Sequence, residues 1–169
     1  PAERIETLYN RIDVETVQAE QVSREEAREA LGLPRNAWVV GNVGRLHPDK
    51  DQETLIRAFA DALPTLPDNS LLVIAGEGRL EAKLKALVAE LGITAQVRFL
   101  GQVPQARRYF RAFDMFALSS DHEPFGMVLL EAMAAGLPVV CSDCGGGREV
   151  VGESGELFTF GDWHALSAS

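Results

Sequence analysis

The sequence predicts an α/β domain with a Rossmann-like open parallel sheet and helices on both faces. Short, continuous apolar runs recur along the chain, as expected for strands that are buried on both sides of a parallel sheet. Between them lie longer segments whose apolar residues recur at helical spacing. Strands that alternate with helices in this way are joined by right-handed crossovers, which build an open sheet.

The predicted elements follow one another along the chain. A capping box, Ser23-Arg24-Glu25-Glu26, opens a helix that stops at Gly32. The predicted strands are residues 37–43, 71–75, 97–100, 115–118, 138–141 and 156–160. Further helices are predicted to begin near Asp51, Leu80, Pro104 and Gly126, and a last one within residues 161–166.

The N-terminal residues have a different pattern. Their apolar positions are scattered without helical spacing and predict an extended connector: Ile5, Leu8, Tyr9, Ile12 and Val14. The chain begins without Met and stops soon after a helix start, so we expect both ends to be boundaries cut within a longer protein.

Composition excludes several classes of function. The 169 residues are 46% hydrophobic, enough for the core of one domain, and a net charge of −9 disfavours binding to nucleic acid or to an anionic membrane. No apolar run is long enough to span a bilayer and no secretory signal is visible. Two cysteines do not make a disulfide framework, so we expect a reducing, cytoplasmic compartment.

Four loops are the first candidates for a binding site. In an open α/β sheet, ligands bind outside the carboxyl ends of the strands, near the switch in strand order. The loops predicted at that edge are residues 44–50, 76–78, 119–126 and 142–147. The polar and glycine residues of interest lie in or beside them.

The loop 44–50 brings two cations, Arg45 and Lys50, to this edge. An anionic ligand would be bound by the planar fork of an arginine and the point charge of a lysine. The alternative is that both are solvated cations of a surface loop. The residues alone favour neither interpretation over the other.

Two glutamates accompany the predicted helix that begins at Gly126. Glu131 lies inside a segment that is apolar nearly all round, where an unpaired carboxylate costs several kcal/mol. Its partner is either a structural arginine or the hydroxyls of a ligand such as a ribose diol. Glu123 precedes the helix, where helix capping is the alternative to ligand binding.

The turn at Phe125 exposes the backbone amides of Gly126, Met127 and Val128, because the first amides of a helix have no partner within it. A diphosphate would then lie between these amides and the Arg45/Lys50 pair.

Other motifs are weaker. Gly76-x-Gly78 is not a dinucleotide fingerprint, because Glu81 occupies the third glycine position. Gly145-Gly146-Gly147 indicates a tight turn of backbone against ligand or sheet. Cys141 and Cys144 have the spacing of a CxxC motif but no second pair, which favours two buried or idle thiols over metal or redox use. The three histidines, His47, His122 and His164, are interpreted as loop residues.

Together these motifs resemble the C-terminal domain of the retaining GT-B glycosyltransferases of family 4. The resemblance covers nearly the whole chain. It rests on Tyr9-Asn10-Arg11-Ile12-Asp13, Gly44-Arg45-Leu46 with Lys50, Ile74-Ala75-Gly76-Glu77-Gly78, Phe99-Leu100-Gly101-x-Val103, the seven-residue separation of Glu123 and Glu131, and Gly136-x-Pro138-Val139-Val140.

The resemblance implies a role for each matching residue. Arg45 and Lys50, after Gly44, would neutralise the donor diphosphate and stabilise the departing nucleoside diphosphate. Glu131 would bind the ribose hydroxyls, and Glu123 would face the donor sugar as the third catalytic residue.

The backbone of this domain would also contact the donor. The backbone at Val103 would touch the base edge, and the amides that follow Phe125, at Gly126, Met127 and Val128, would bind the distal phosphate or the sugar. The implied donor is a UDP- or GDP-sugar, and no metal is expected.

The resemblance also implies a domain plan. Residues 1–20 would be an interdomain connector and residues 21–169 the nucleotide-sugar-binding domain, truncated at its C-terminus. The acceptor-binding N-terminal domain would lie outside this chain, which alone would bind donor weakly and transfer nothing. The full-length enzyme would work in the cytoplasm or at the inner face of the membrane, in polysaccharide or lipopolysaccharide biosynthesis.

The sequence departs from the family pattern at two places. Asp51 follows Lys50 where glycine is frequent, and Gly146-Gly147-Arg148-Glu149-Val150 replaces Gly-Ile-Pro-Glu-Val. The alternatives are a nucleotide-sugar epimerase or a glycan phosphorylase of related fold, or a non-catalytic nucleotide-binding or receiver-like module. A receiver needs acidic residues at strand ends, whereas Asp114 lies at a predicted strand start.

Overall fold

The computed structural model describes residues 10–169, and its centre is a six-stranded sheet. The strands are β1 Trp38–Val43, β2 Ser70–Ala75, β3 Val97–Gly101, β4 Met115–Leu118, β5 Val139–Ser142 and β6 Glu156–Phe158. Their order in the sheet is β3-β2-β1-β4-β5-β6, and all neighbouring strands are parallel. This is the strand order of Rossmann folds, and the order switches between β1 and β4. The predicted fold class is confirmed.

Helices cover both faces of the sheet and enclose two apolar clusters. The helices are α1 Val14–Glu20, α2 Arg24–Ala30, α3 Gln52–Ala62, α4 Glu81–Glu90, α5 Met127–Ala134, α6 Gly147–Val151 and α7 Trp163–Ala168, with 3₁₀ helices at Pro48–Lys50 and Ala106–Ala112. One cluster lies beneath α3, α4 and α7, and the other beneath α2, α5, α6 and the 3₁₀ helix Ala106–Ala112. Within residues 10–169, every helix is too short or too polar to cross a bilayer.

Local sequence signals explain where the elements begin. The Ser23 hydroxyl accepts from the Glu26 amide and the Glu26 carboxylate accepts from the Ser23 amide, so the predicted capping box is confirmed. The interior of β1 and the whole of β2 are buried, because successive side chains alternate between the two clusters.

The segment predicted as an extended connector contains a helix. The carboxylate of Asp13 caps α1 by accepting from the Thr16 amide at 3.1 Å. Val17 is the one buried residue of this helix, so helical spacing is invisible in the sequence. Ile5, Leu8 and Tyr9 lie outside the described residues.

One further local prediction was wrong in its start. The helix predicted from Pro104 is a 3₁₀ helix that begins at Ala106, after Gln105 adopts a left-handed conformation with φ 53°. The tight turn predicted at the three glycines is present at Gly145 and Gly146, although its backbone packs against the loop that carries Glu123 and not against the sheet. Helix α6 follows the turn from Gly147 and buries Val151 against the core.

The amino edge of the sheet is held by a charged network. Arg28 is only 1% exposed, and it donates to the carbonyls of Ala112 and Ala37 and to Asp114 at 2.9 Å. Asp114 also pairs with Arg24 and accepts from the Val39 amide. This network joins α2 to the starts of β1 and β4, far from the carboxyl edge.

Asp114→Ala is expected to destabilise the chain by about 3–5 kcal/mol, because it leaves the buried guanidinium of Arg28 without its carboxylate. Urea unfolding followed by circular dichroism measures this loss. Asp143→Ala is the matched control, since it breaks the exposed pair with Arg148 and should cost less than about 1 kcal/mol. Equal losses in the two variants would contradict the role given to the Arg28 network.

Candidate functional site

The four loops predicted as candidates meet at the carboxyl edge, beside the switch between β1 and β4. Their backbones touch directly. A Cβ added to Gly76 would lie 2.0 Å from the Gly44 carbonyl oxygen, and one added to Gly78 would lie 2.3 Å from that of Leu46. Only glycine permits contacts this close, so the loops after β1 and β2 form one rigid unit.

The glycine loop after β5 packs in the same way against the loop after β4. The Gly146 amide donates to the Glu123 carbonyl at 2.7 Å. A Cβ on Gly145 would lie 2.3 Å from the same carbonyl oxygen, and Gly145 has φ 58°. The backbone of the glycine loop therefore fixes the loop that carries Glu123.

Lys50 and Glu123 form an ion pair across two of these loops. The Lys50 Nζ lies 2.5 Å from the Glu123 Oε2, and the side chains are 18% and 13% exposed. Glu123 does not cap α5, because within residues 10–169 its carboxylate accepts from Lys50 Nζ and, at 3.5 Å, from Ser120 Oγ, and from no amide of α5. The capping alternative for Glu123 is therefore wrong.

Lys50 is held in place through its backbone. The hydroxyl of Ser119, which is fully buried, lies 3.0 Å from the Lys50 carbonyl oxygen and 2.8 Å from that of Asp51. The Asp121 amide donates to the Asp49 carbonyl at 2.9 Å. The loop after β1 is thus hydrogen-bonded to the loop after β4 at three of its carbonyls.

Asp51 is in a left-handed conformation, with φ 41° and ψ 47°. This explains why glycine is frequent here in the family that the sequence resembles, since a Cβ is strained in this region. The aspartate compensates by capping α3, accepting from the Thr54 amide at 3.4 Å. Burial raises the pKa of the Asp51 carboxyl, and the hydrogen bonds from Thr54 oppose that rise.

Arg45 is exposed, and its guanidinium makes no ion pair or hydrogen bond with the rest of residues 10–169. Its backbone carbonyl accepts from the buried Gln52 side chain at 3.0 Å, which fixes the backbone but leaves the side chain available. The structure therefore places one restrained cation, Lys50, and one unrestrained cation, Arg45, at the same edge.

The first turn of α5 faces the same space. Gly126 has φ 91°, and the amides of Met127 and Val128 donate to no residue in the described part of the chain. The Met127 side chain is 40% exposed. These amides lie at the positive end of the helix and favour an anion.

Glu131 lies in an open cleft of about 740 Å³ between α5, α1 and the 3₁₀ helix Ala106–Ala112. Burial raises the pKa of Glu131, Arg107 lowers it and Glu20 raises it. Across residues 10–169 no cation lies within 4.0 Å of Glu131, because Arg107 pairs instead with Glu20 at 2.7 Å. The alternative of a directly paired structural arginine is therefore wrong.

A smaller pocket of about 140 Å³ adjoins this cleft, with Val43 and Ala106 in both linings. It is lined by Val43, Gly44, Ala75, Gly76, Gln102, Val103 and Ala106. Two predicted residues, Gly44 and Val103, therefore come together at the end of β1. The predicted residues thus lie along one edge, from Lys50 and Glu123 through the start of α5 to Glu131 and Val103.

The weaker motifs do not add a second site. Cys141 is buried and burial raises the pKa of its thiol to about 12, while burial also raises the pKa of the Cys144 thiol. Among residues 10–169 no three His, Cys, Asp or Glu side chains are grouped to hold a metal. Asp114 lies at the amino edge, as the argument against a receiver required.

Sequence reasoning missed three residues of this edge. Ser119 directly follows a buried strand, a position that signals a site in parallel sheets. Glu20 and Arg107 gave no signal, because 87 positions separate them and α1 was not predicted.

Ser119→Ala is expected to accelerate amide hydrogen exchange at Lys50 and Asp51, because it removes the hydroxyl that binds both carbonyls. The global cost is about 1 kcal/mol. Ser70→Ala is the matched control, since the hydroxyl of this buried serine donates to the Pro67 carbonyl at 2.6 Å at the opposite edge. The same acceleration at Lys50 and Asp51 in both variants would contradict the role of Ser119.

Comparison with known proteins gives a family. The model of the family described as "Glycosyl transferases group 1" matches residues 23–169. A D-inositol 3-phosphate glycosyltransferase of Thermomonospora curvata is 39% identical over 145 residues, which are 79% of this chain and 34% of that protein. An uncharacterized glycosyltransferase of Methanocaldococcus jannaschii is 35% identical over 89% of this chain and 39% of its own length. The chain thus spans little more than a third of these relatives.

Solved structures agree with this assignment. The chain resembles Anabaena Alr3699/HepE in complex with UDP, with a TM-score of 0.84 and 32% identity over 99% of this chain and 47% of that one. It also resembles WaaG, a glycosyltransferase involved in lipopolysaccharide biosynthesis, with a TM-score of 0.79 and 28% identity over 89% of this chain and 42% of that one. By sequence and by fold, the chain belongs to the group 1 glycosyltransferases and matches the C-terminal half of larger GT-B proteins.

Proposed function

We propose that this chain is the donor-binding half of a retaining glycosyltransferase, which transfers a sugar from a UDP-sugar to a glycan, lipid or other acceptor. The observation that carries the proposal is the order of groups along the carboxyl edge. Two cations and a helix N-terminus lie at one end, and Glu131, a carboxylate with no ion-pair partner among residues 10–169, lies in the adjoining cleft. That order matches the diphosphate and the ribose of a nucleotide.

The nucleoside half of the donor would occupy the cleft and the small pocket beside it. An ionised Glu131 has lone pairs for both hydroxyls of a ribose. The base would lie against Gly44, Val103 and their small neighbours. The Anabaena protein has been solved with UDP and with UDP-glucose, which supports uracil as the base.

The diphosphate would lie between Arg45, Lys50 and the amides of Gly126, Met127 and Val128. Lys50 is paired with Glu123 in the loop that leads into α5, and Arg45 has no side-chain partner within residues 10–169 and is available to a ligand. As the sugar leaves, charge grows on the nucleoside diphosphate, and these cations and amides stabilise it. Because they supply the positive charge locally, we expect donor binding to need no metal.

Glu123 would face the donor sugar while remaining paired with Lys50. This pairing fixes the direction of the Glu123 carboxylate, which suits a group that orients sugar hydroxyls or stabilises positive charge on the sugar. Arg45, Lys50 and Glu123 are the proposed catalytic residues. The family match favours transfer over the epimerase and phosphorylase alternatives.

The remainder of the enzyme would supply the acceptor site. We place the connector at residues 1–20 and the donor-binding domain at residues 21–169, with the acceptor-binding domain outside this chain. The protein would act in the cytoplasm or at the inner face of the membrane, where nucleotide-sugars are consumed for surface polysaccharides or lipopolysaccharide.

Calorimetry of the chain with UDP, in EDTA and in Mg²⁺, tests the donor site. UDP is expected to bind equally in both buffers and more tightly than GDP or ADP. Arg45→Ala and Glu131→Ala are each expected to weaken UDP binding by about 10- to 100-fold, because each loses a charge-assisted contact.

Arg98→Ala is the control for Arg45→Ala. It removes the same charge at the start of β3, where the hydrogen bonds of Arg98 within residues 10–169 go to the neighbouring carbonyls of Ala95 and Val97. Unchanged UDP affinity in Arg45→Ala and Glu131→Ala, or an equal loss in Arg98→Ala, would refute the proposed site.

A further inference from the structure

The cleft around Glu131 has an outer wall that the nucleotide site described so far does not use. Its charged lining residues are Glu20, Arg107, Arg108 and Glu131. Glu20 is the last residue of α1, and Arg107 and Arg108 belong to the 3₁₀ helix Ala106–Ala112. The wall is therefore built by a segment that precedes the sheet and by one that lies between β3 and β4.

This wall is fastened by hydrogen bonds. The Val22 amide donates to the Arg108 carbonyl at 3.1 Å, and the Gln21 side chain donates to the Arg107 carbonyl. The Gln18 side chain donates to the Ala134 carbonyl at the end of α5, at 3.2 Å. The end of α1 is thus tied to both other elements of the cleft, which brings Glu20 within ion-pair distance of Arg107.

The charged side chains in the cleft differ in their partners. Two carboxylates, Glu20 and Glu131, share it with the guanidinium of Arg107, which binds Glu20 at 2.7 Å. Arg108 lines the same cleft but bonds to the Glu20 carbonyl and to Gln105. Helix α6 and strands β4 and β5 also pack on α5. Within residues 10–169, none of the charged residues that line the cleft belongs to these three elements.

We propose that Arg107, held by Glu20, is a positioning residue for the Glu131 carboxylate, so that helix α1 completes the ribose-binding cleft. Glu20 occupies one side of Arg107 and stops it from collapsing onto Glu131. Arg107 then attracts Glu131 without consuming its lone pairs, which stay available for ribose hydroxyls. The ribose part of this inference rests on the proposed function.

The two charges act on Glu131 in opposite directions. Arg107 lowers the pKa of Glu131 and Glu20 raises it, on top of the rise caused by burial. Removing Arg107 should therefore move the titration of Glu131 to higher pH. Removing the charge of Glu20 should move it to lower pH, because repulsion is lost and Arg107 is released towards Glu131.

Carbon-13 NMR of the glutamate side-chain carboxyls tests this without any ligand. The Glu131 signal is assigned by its disappearance in Glu131→Gln. Arg107→Gln should raise the titration midpoint and Glu20→Gln should lower it. Arg108→Gln, which removes the same charge from the same cleft, should leave it nearly unchanged. An unmoved midpoint in Arg107→Gln, or equal shifts in Arg107→Gln and Arg108→Gln, would overturn the proposal.

Binding of UDP and of 2′-deoxy-UDP to the same variants tests the link to ribose. Arg107→Gln should weaken UDP binding about two- to fivefold and reduce the preference for UDP over 2′-deoxy-UDP. Equal weakening for both nucleotides would show that Arg107 acts on the phosphates, which overturns its role at Glu131. If Glu131→Ala leaves UDP binding intact while the titration shifts appear, the proposed function fails and the electrostatic pairing stands.

Discussion

Direct contact between loop backbones is the constraint on which the candidate site depends. Gly76 and Gly78 bring the loop after β2 against the loop after β1, and Gly145 and Gly146 bring the loop after β5 against the loop that carries Glu123. A side chain at any of these positions would clash with the facing backbone and force the two loops apart. The 2.5 Å ion pair between Lys50 and Glu123 therefore depends on residues that contribute no functional group.

The two edges of the sheet perform different tasks. At the amino edge, the buried charge of Arg28 is matched by Asp114 and by several carbonyls, so charge there holds strands and helix together. At the carboxyl edge, Asp51 is in a left-handed conformation, and within residues 10–169 neither Glu131 nor Arg45 has an ion-pair partner. The strained backbone of Asp51 and the half-buried carboxylate of Glu131 are costly for the fold, and such costs are typical of binding sites.

The strands and most helices could be predicted because their signals are local: continuous apolar runs, the Ser23 capping box and the cap at Asp51. The edge carrying the candidate residues followed from the βα order alone. Helix α1 could not be predicted, since it buries only Val17. The ion pair of Glu20 with Arg107 depends on how α1 packs in the folded chain, and this tertiary packing leaves no local signal in the sequence. The same holds for the ion pair of Lys50 with Glu123. The sequence predicted that both residues lie at the same edge of the sheet but did not predict that they pair.

The central claim is that one continuous surface, from Lys50 through the start of α5 to Glu131 and Val103, binds a nucleoside diphosphate. Backbone amide NMR of the nitrogen-15-labelled chain during a UDP titration tests it most directly. We expect the largest shift changes in loops 44–50 and 119–128 and around Glu131 and Val103, with Arg28 and Asp114 unaffected. Changes centred on the amino edge, or spread evenly over the chain, would contradict it.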